Sequence, residues 1–315
     1  MEQLTVLSFG AGQDSTDILY RIMLYQEFRE KYVKGHFIVV ESDPGNEHKH
    51  TYEHVNYIKA LCHQYGIEFY FLTNGEYHPA TWQTLEGQFI KNDSIMSLMG
   101  PRSCTDNLKI KPIYNFIDHY IAKKYYGYNS VIQPKGKNFI KKFAKDHSRI
   151  RMIIGIAAGE EQRIKKATKK ELKANQTDAF KKHKNPVPLW FRLAVEKIYP
   201  LVLEGIARWN VHDHILNHTN FKLPFPSNCK FCPYLSKIEI LWLFRFHPAD
   251  WYDWVRYEAN KIAKWSHRVG KNLGVKGEKL LPEILQEAIA EFGHMTDEEL
   301  IEYKMSHGHC VMSKY

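Results

Sequence analysis

Over the first 75 residues, short apolar runs alternate with longer segments of helical period. Residues 4–9 form an apolar run short enough for a buried strand, and small polar residues break it at 10–14. From about residue 15 to 31 the apolar positions recur at helical spacing. Residues 36–41 hold Phe37, Ile38, Val39 and Val40, a second buried strand. Residues 51–65 return to helical period, with Val55, Ile58 and Cys62 on one stripe, and residues 67–72 make a third strand. Strand and helix in this alternation predict an α/β fold built on a doubly wound parallel sheet. Further on, the pattern predicts a helix over 108–125, a fourth strand over 151–156 and a fifth over 197–203. From residue 236 the period is helical to the end, broken near Pro248 and at a glycine-rich link over 270–277. An α/β domain over 1–205 and a cysteine-bearing, mostly helical region over 206–315 are the expected division.

Composition narrows the class. The chain has 315 residues, 44% hydrophobic and 25% charged, which excludes wholesale disorder. No apolar run approaches the roughly 18 residues of a membrane span, so no membrane partner is expected. Met1 leads straight into the first apolar run without a basic segment, and a secretory signal is not expected. Five cysteines, unevenly spaced, are too few for a disulfide scaffold of this size. They read as thiols and ligands in a cytoplasmic protein.

The net charge of +9 is concentrated in two places. Residues 135–151 carry seven Lys/Arg against one Asp, and residues 163–184 carry nine against Glu171 and Asp178. A charge run is as often a solvated face as a binding surface. Beside an active site it would draw in a polyanion such as tRNA or DNA. The second stretch has few apolar residues over 165–184 and reads as a mobile loop or an exposed helix. The 19 Tyr and 7 Trp supply rings on which bases could stack, although core packing accounts for them equally well.

The first strand–helix turn reads Ser8-Phe9-Gly10-Ala11-Gly12-Gln13-Asp14-Ser15-Thr16. Small residues there let backbone N–H groups approach an anion, and the helix N-terminus adds its positive dipole end. The pattern is neither a Walker loop nor G-x-G-x-x-G. It resembles the pyrophosphate-binding SGGxDS loop of the PP-loop ATP α-hydrolase superfamily, more closely its phosphoadenylyl-sulfate reductase-like branch. Further segments are similar to that branch in the same order: Glu41-Ser42-Asp43-Pro44-Gly45-Asn46-Glu47 with Thr51, and Arg102-Ser103-Cys104-Thr105 with Lys109 and Pro112. After these come Gly155-Ile156 with Glu160 and Arg163, Tyr199-Pro200-Leu201, and Cys229-Lys230-Phe231-Cys232-Pro233. The resemblance spans roughly residues 4–260. It implies an adenine nucleotide α-hydrolase-like, Rossmann-like fold.

Some positions depart from that branch. Gly10 and Ala11 replace its usual Ser and Gly, and Gln13 stands where reductases often have Lys. Ala157 and Ala158 replace arginines, and His307-Gly308-His309-Cys310 does not match the reductases' catalytic E-C-G-x-H. These departures favour ATP-dependent group activation over reduction. The resemblance then implies an ATP site at Ser8, Gly10, Gly12, Asp14, Ser15 and Thr16, with Asp14 holding the loop or a Mg²⁺ ion. Asp43, at the end of the second strand, would face adenosine or a metal. Arg102, Lys109 and Arg163 are candidate cations for charge developing on phosphate. Asp14 and Ser15 are expected off the core face.

Cys229-x-x-Cys232 is a chelating spacing that serves zinc, iron–sulfur or redox chemistry. With Cys104 it offers three thiolates, and three ligands on a [4Fe-4S] cluster leave one iron open to a substrate sulfur. Cys310, with His307 or His309, could instead close a zinc site. Cys62 sits on the apolar stripe of its helix and reads as a core residue. Three functions remain: adenylylation of an acceptor carbonyl followed by sulfur transfer from a sulfur donor, the acceptor being a nucleobase; reduction of a sulfonucleotide; or a silent nucleotide-binding module. The sequence leaves an oligomer open.

Overall fold

The computed structural model describes residues 1–100, 103–164, 188–268 and 273–306. Its centre is a sheet of five parallel strands: β1 (Leu4–Ser8), β2 (His36–Ser42), β3 (Glu68–Leu72), β4 (Ile150–Ile154) and β5 (Val195–Ile198). Their order is β3-β2-β1-β4-β5. Ser8 lies beside Val40 on one side and Ile154 on the other. The strand order therefore reverses at the carboxyl end of β1, where open α/β sheets bind their ligands.

The helices in chain order are α1 (Gln13–Leu24), α2 (Gln26–Tyr32), α3 (Lys49–Gln64), α4 (Leu85–Asn92), α5 (Lys111–Tyr126), α6 (Asn138–Asp146) and α7 (Leu189–Ala194). They continue with α8 (Pro200–Leu203), α9 (Arg208–Asn217), α10 (Lys237–Phe246), α11 (Pro248–Trp265), α12 (Leu281–Phe292) and α13 (Asp297–Ser306). Alternation along the strands gives the sheet two apolar faces. Leu7, Val39, Ile153 and Ile198 pack against α1, α2, α3 and α9. Leu4, Val6, Ile38, Val40, Met152 and Val195 pack against α5, α6 and α7. The expected α/β class with a parallel sheet covered on both faces is what the chain forms. No helix among the described residues is long and apolar enough to cross a membrane.

A third core joins residues from both sides of position 205. Leu85, Phe89 and Leu108 pack with Phe231, Leu241, Trp254, Leu281 and Leu300. Inside it the ammonium of Lys304 meets the carboxylate of Glu239 at 2.6 Å, both side chains at most 1% exposed. Glu239 also closes a capping box at the start of α10, where the Ser236 side chain accepts from the Glu239 N–H.

Several boundaries differ from the pattern reading. The helix expected over 15–31 breaks at Tyr25, which is extended (φ −116°, ψ 109°) and reaches His214 Nε2 with its hydroxyl at 2.9 Å. The helix expected from residue 108 begins as a π-helical turn over Thr105–Ile110, ahead of α5. The fifth strand, expected to residue 203, ends at Ile198, because Pro200 has no N–H for the ladder and opens α8 instead. The fourth ends at Ile154. A side chain on Gly155 would come within 2.7 Å of the Ser15 amide, so only glycine lets β4 deliver the chain this close to α1.

Candidate functional site

The first turn closes over a pocket at the strand-order reversal. Ser8, Gly10, Gly12, Gln13, Asp14 and Ser15 line it with Ile154, Gly155, Arg163, Arg208, Pro226 and Ser227. Gly12 caps α1, and the first helical bond from the turn runs from Thr16 N–H to the Gly12 carbonyl at 3.1 Å. The amides before it have no intrahelical acceptor and offer themselves to an anion. Ser227 Oγ donates to the Gly10 carbonyl at 2.6 Å, which ties the turn to a segment more than 200 residues away. Ala11 holds φ +54°, a conformation that costs a non-glycine residue about 1–2 kcal/mol. Its methyl is buried in the sheet core in return.

The charges in this pocket form one chain. Arg208 Nη2 reaches Asp14 Oδ2 at 3.2 Å and Glu160 Oε1 at 2.9 Å, and Arg163 pairs with Glu160. Burial lifts the Asp14 carboxyl above its ordinary value, with Glu160 adding to the rise and Arg208 opposing it. Burial acts the same way on Glu160, but Arg208 and Arg163 outweigh it and hold that carboxyl below its ordinary value. Asp14 Oδ1 is buried with no hydrogen-bond partner. An unsatisfied carboxylate oxygen in a phosphate-sized pocket is a ready ligand for a hard cation.

The cysteines gather in a second cavity. Cys104, Cys229 and Cys232 line it with Lys109, Thr105 and Asn228, behind apolar walls from Pro44, Leu85, Met96, Leu108 and Phe231. Lys109, on the π-helical turn, donates to Glu47 Oε1 at 2.8 Å, and the Cys229 thiol lies 3.6 Å from the same oxygen. Lys230 N–H donates to the Asn46 carbonyl at 2.9 Å, so the Cys-x-x-Cys knuckle is clipped to the turn after β2. Ser227 lines the first pocket and Asn228 and Cys229 line the second. Two residues span at most about 7 Å, so the two cavities are immediate neighbours along this segment.

Compared with known proteins, the chain matches no protein-family model and no curated sequence. The site therefore rests on its own geometry. Ser8, Gly10, Gly12, Asp14, Ser15 and Arg163 come together in the first pocket, and Cys104, Lys109, Cys229 and Cys232 in the second. Thr16 does not face the first pocket. It is fully buried, and its hydroxyl meets His54 Nε2 at 3.0 Å. Asp14 and Ser15, expected off the core face, line the first pocket and join no apolar core, although each is only 7% exposed. Asp43 Oδ1 accepts from the Gly45 N–H at 2.7 Å and the Tyr52 hydroxyl at 2.9 Å, so this carboxylate holds its own turn. Arg102, Cys310, His307, His309 and the basic residues 165–184 lie outside the described residues.

Arg208 and Ser227 were not singled out in the sequence. Arg208 opens a helix after Gly205, and nothing nearby in the sequence marks it as a partner of a turn 194 residues earlier. Glu160 appears only within a resembling segment, without a role. Cys62 is fully buried, as its stripe position indicated, and burial pushes its thiol up to about 12.

Proposed function

We propose that the protein is an ATP-dependent activating enzyme of the PP-loop type that adenylylates an acceptor carbonyl and then transfers sulfur to it. The observation that carries this reading is the run from Ser227 to Cys229, which joins an anion-ready turn to a three-thiol cavity. The turn amides, Ser15 Oγ, Arg208 and Arg163 would take the β- and γ-phosphates of ATP. The acceptor oxygen attacks the α-phosphorus, the bond to the β-phosphate oxygen breaks, and pyrophosphate leaves into the turn. A sulfur nucleophile then adds to the activated carbon, and AMP departs with the former carbonyl oxygen. The unpartnered Asp14 Oδ1 fits Mg²⁺, which would neutralise the phosphates in this pocket.

The cysteine cavity fits a resident metal group through Cys104, Cys229 and Cys232. Tetrahedral zinc would draw thiolates to about 3.8 Å from one another. Among the described residues, the trio of donor atoms that lies within 4.8 Å of one another is not this one but His48, His247 and Asp250. Three thiols would hold a [4Fe-4S] cluster by three of its irons, and when bound it would supply the fourth iron for the transferable sulfur. Lys109, which lines the cavity and pairs with Glu47, would orient an incoming acceptor and move its proton. A nucleobase in tRNA or DNA is the acceptor class that suits the basic sequence stretches 135–151 and 163–184.

The test is nucleotide product analysis on anaerobically purified protein with bulk tRNA. Pyrophosphate and AMP should form in the wild type, and Ser15→Ala should cut their rate by about tenfold or more. Release of sulfite from a sulfonucleotide without ATP cleavage would assign the protein to reduction instead.

A further inference from the structure

A cluster of histidines lies outside both cavities. His48 is 1% exposed, and both of its ring nitrogens are buried with no hydrogen-bond partner. Its ring stacks on His50 at 5.3 Å and lies 4.6 Å from the ring of His247. His50 Nε2 is also buried and unpartnered. A buried imidazole with two idle nitrogens is costly unless something bonds them. One donor atom each from His48, His247 and Asp250 lies within 4.8 Å of the others.

We propose that His48, His247 and Asp250 bind a divalent first-row transition metal of the zinc class, separate from the cysteine cavity. Two imidazoles and a carboxylate are the donor set such ions take. Tetrahedral zinc about 2.1 Å from each ligand sets them about 3.4 Å apart, so binding draws the trio inward by up to about 1.4 Å. Asp250 Oδ1 accepts from Lys230 Nζ at 2.8 Å, and a carboxylate can hold a lysine with one oxygen and a metal with the other. His50 stands next to His48 as a further imidazole. His48 caps α3 and follows Glu47, and His247 and Asp250 open α11. A metal here would pin the turn after β2 to the helical region, and through Lys230 to the Cys-x-x-Cys knuckle.

The probe is Co²⁺, titrated into Cys229→Ser/Cys232→Ser protein, which removes the Cys-x-x-Cys pair as ligands and leaves any remaining thiolate binding visible as charge-transfer absorption. One Co²⁺ per chain should bind with ligand-field bands and no thiolate band. Asp250→Asn and His247→Ala, each made in that background, should weaken binding by about tenfold or more. Lys230→Gln should leave it intact or tighten it. Zn²⁺ should raise the melting temperature of the parent but not of Asp250→Asn, a nearly isosteric change that keeps the fold testable if His247→Ala melts early. Co²⁺ absorption that is purely thiolate in character, or affinity unchanged in both Asp250→Asn and His247→Ala, would overturn the proposal.

Discussion

Arg208 is the residue on which the first pocket turns. It contacts Asp14 and Glu160 together, and it reaches the turn from α9, which packs against α1 on the same face of the sheet. Arg208→Ala should leave two carboxylates facing the phosphate site and lower ATP affinity by about tenfold or more, measured by calorimetry. Asp14→Asn, which keeps the shape and removes the charge, should lose Mg²⁺-dependent turnover while melting near the wild-type temperature. Glu41 presents the opposite case. It is 6% exposed, and its Oε2 has no hydrogen-bond partner. Burial first and Glu47 second hold its carboxyl well above the ordinary value, with Lys109 opposing. A carboxyl raised in the folded state favours folding when protonated, so its cost appears as pH climbs above the ordinary carboxylate range. Glu41→Gln should therefore stabilise the protein by about 1–2 kcal/mol at neutral pH. That gain should vanish as pH falls through the ordinary carboxylate range, which chemical denaturation at several pH values would show.

At the scale of elements, β1 and β2 were legible because each is a compact apolar run buried on two faces, and β3 and β4 because short apolar runs mark them even though β3 is a half-buried edge strand. What the pattern missed depends on contacts far apart in sequence. The bend at Tyr25 answers to His214, and the glycine at 155 answers to the Ser15 amide. The helix α9 carries Arg208 but shows only a weak apolar stripe, with Val211 and Ile215 facing the core. The site was legible where a motif is local, as in the turn at 8–16 and the pair Cys229 and Cys232. It was not legible where a role belongs to one distant side chain, as with Ser227, or where a residue of the right type turns inward, as with Thr16. The helical region has its own dependence. Lys304 joins α13 to Glu239 on α10 in a dry core, with its ammonium 5.3 Å from the Trp242 ring centroid. Lys304→Met removes the ammonium beside the buried Glu239 carboxylate and should cost about 3–5 kcal/mol, read from denaturant unfolding. Pairing it with Glu239→Gln should recover part of that loss.

For the whole molecule, the excess positive charge is less available than its count implies. Within 135–151, Lys142 pairs with Asp146 at 2.6 Å, and Arg149 and Arg151 face Glu196 at 3.8 and 3.6 Å. A nucleic acid that binds the protein should therefore depend little on Lys142, Arg149 and Arg151, and more on the exposed Lys135, Lys141 and Lys145 and the stretch 165–184. Replacing Lys165, Lys166, Lys169 and Lys170 by Glu should flatten the salt dependence of tRNA binding by about 0.9 in slope for each duplex phosphate no longer neutralised. Lys142→Gln should barely change it. The two neighbouring cavities make a sharper claim, that nucleotide cleavage and sulfur transfer are separate steps in adjoining sites. The direct measurement is a single turnover with radiolabelled ATP, acceptor and inorganic sulfide as the sulfur donor, comparing wild type, Arg208→Ala and Cys229→Ser. The first turnover of Cys229→Ser should release pyrophosphate close to the wild-type rate but yield no thiolated acceptor, and Arg208→Ala at subsaturating ATP should slow both products together. ADP and phosphate as the wild-type products would contradict the account, as would loss of pyrophosphate release in Cys229→Ser.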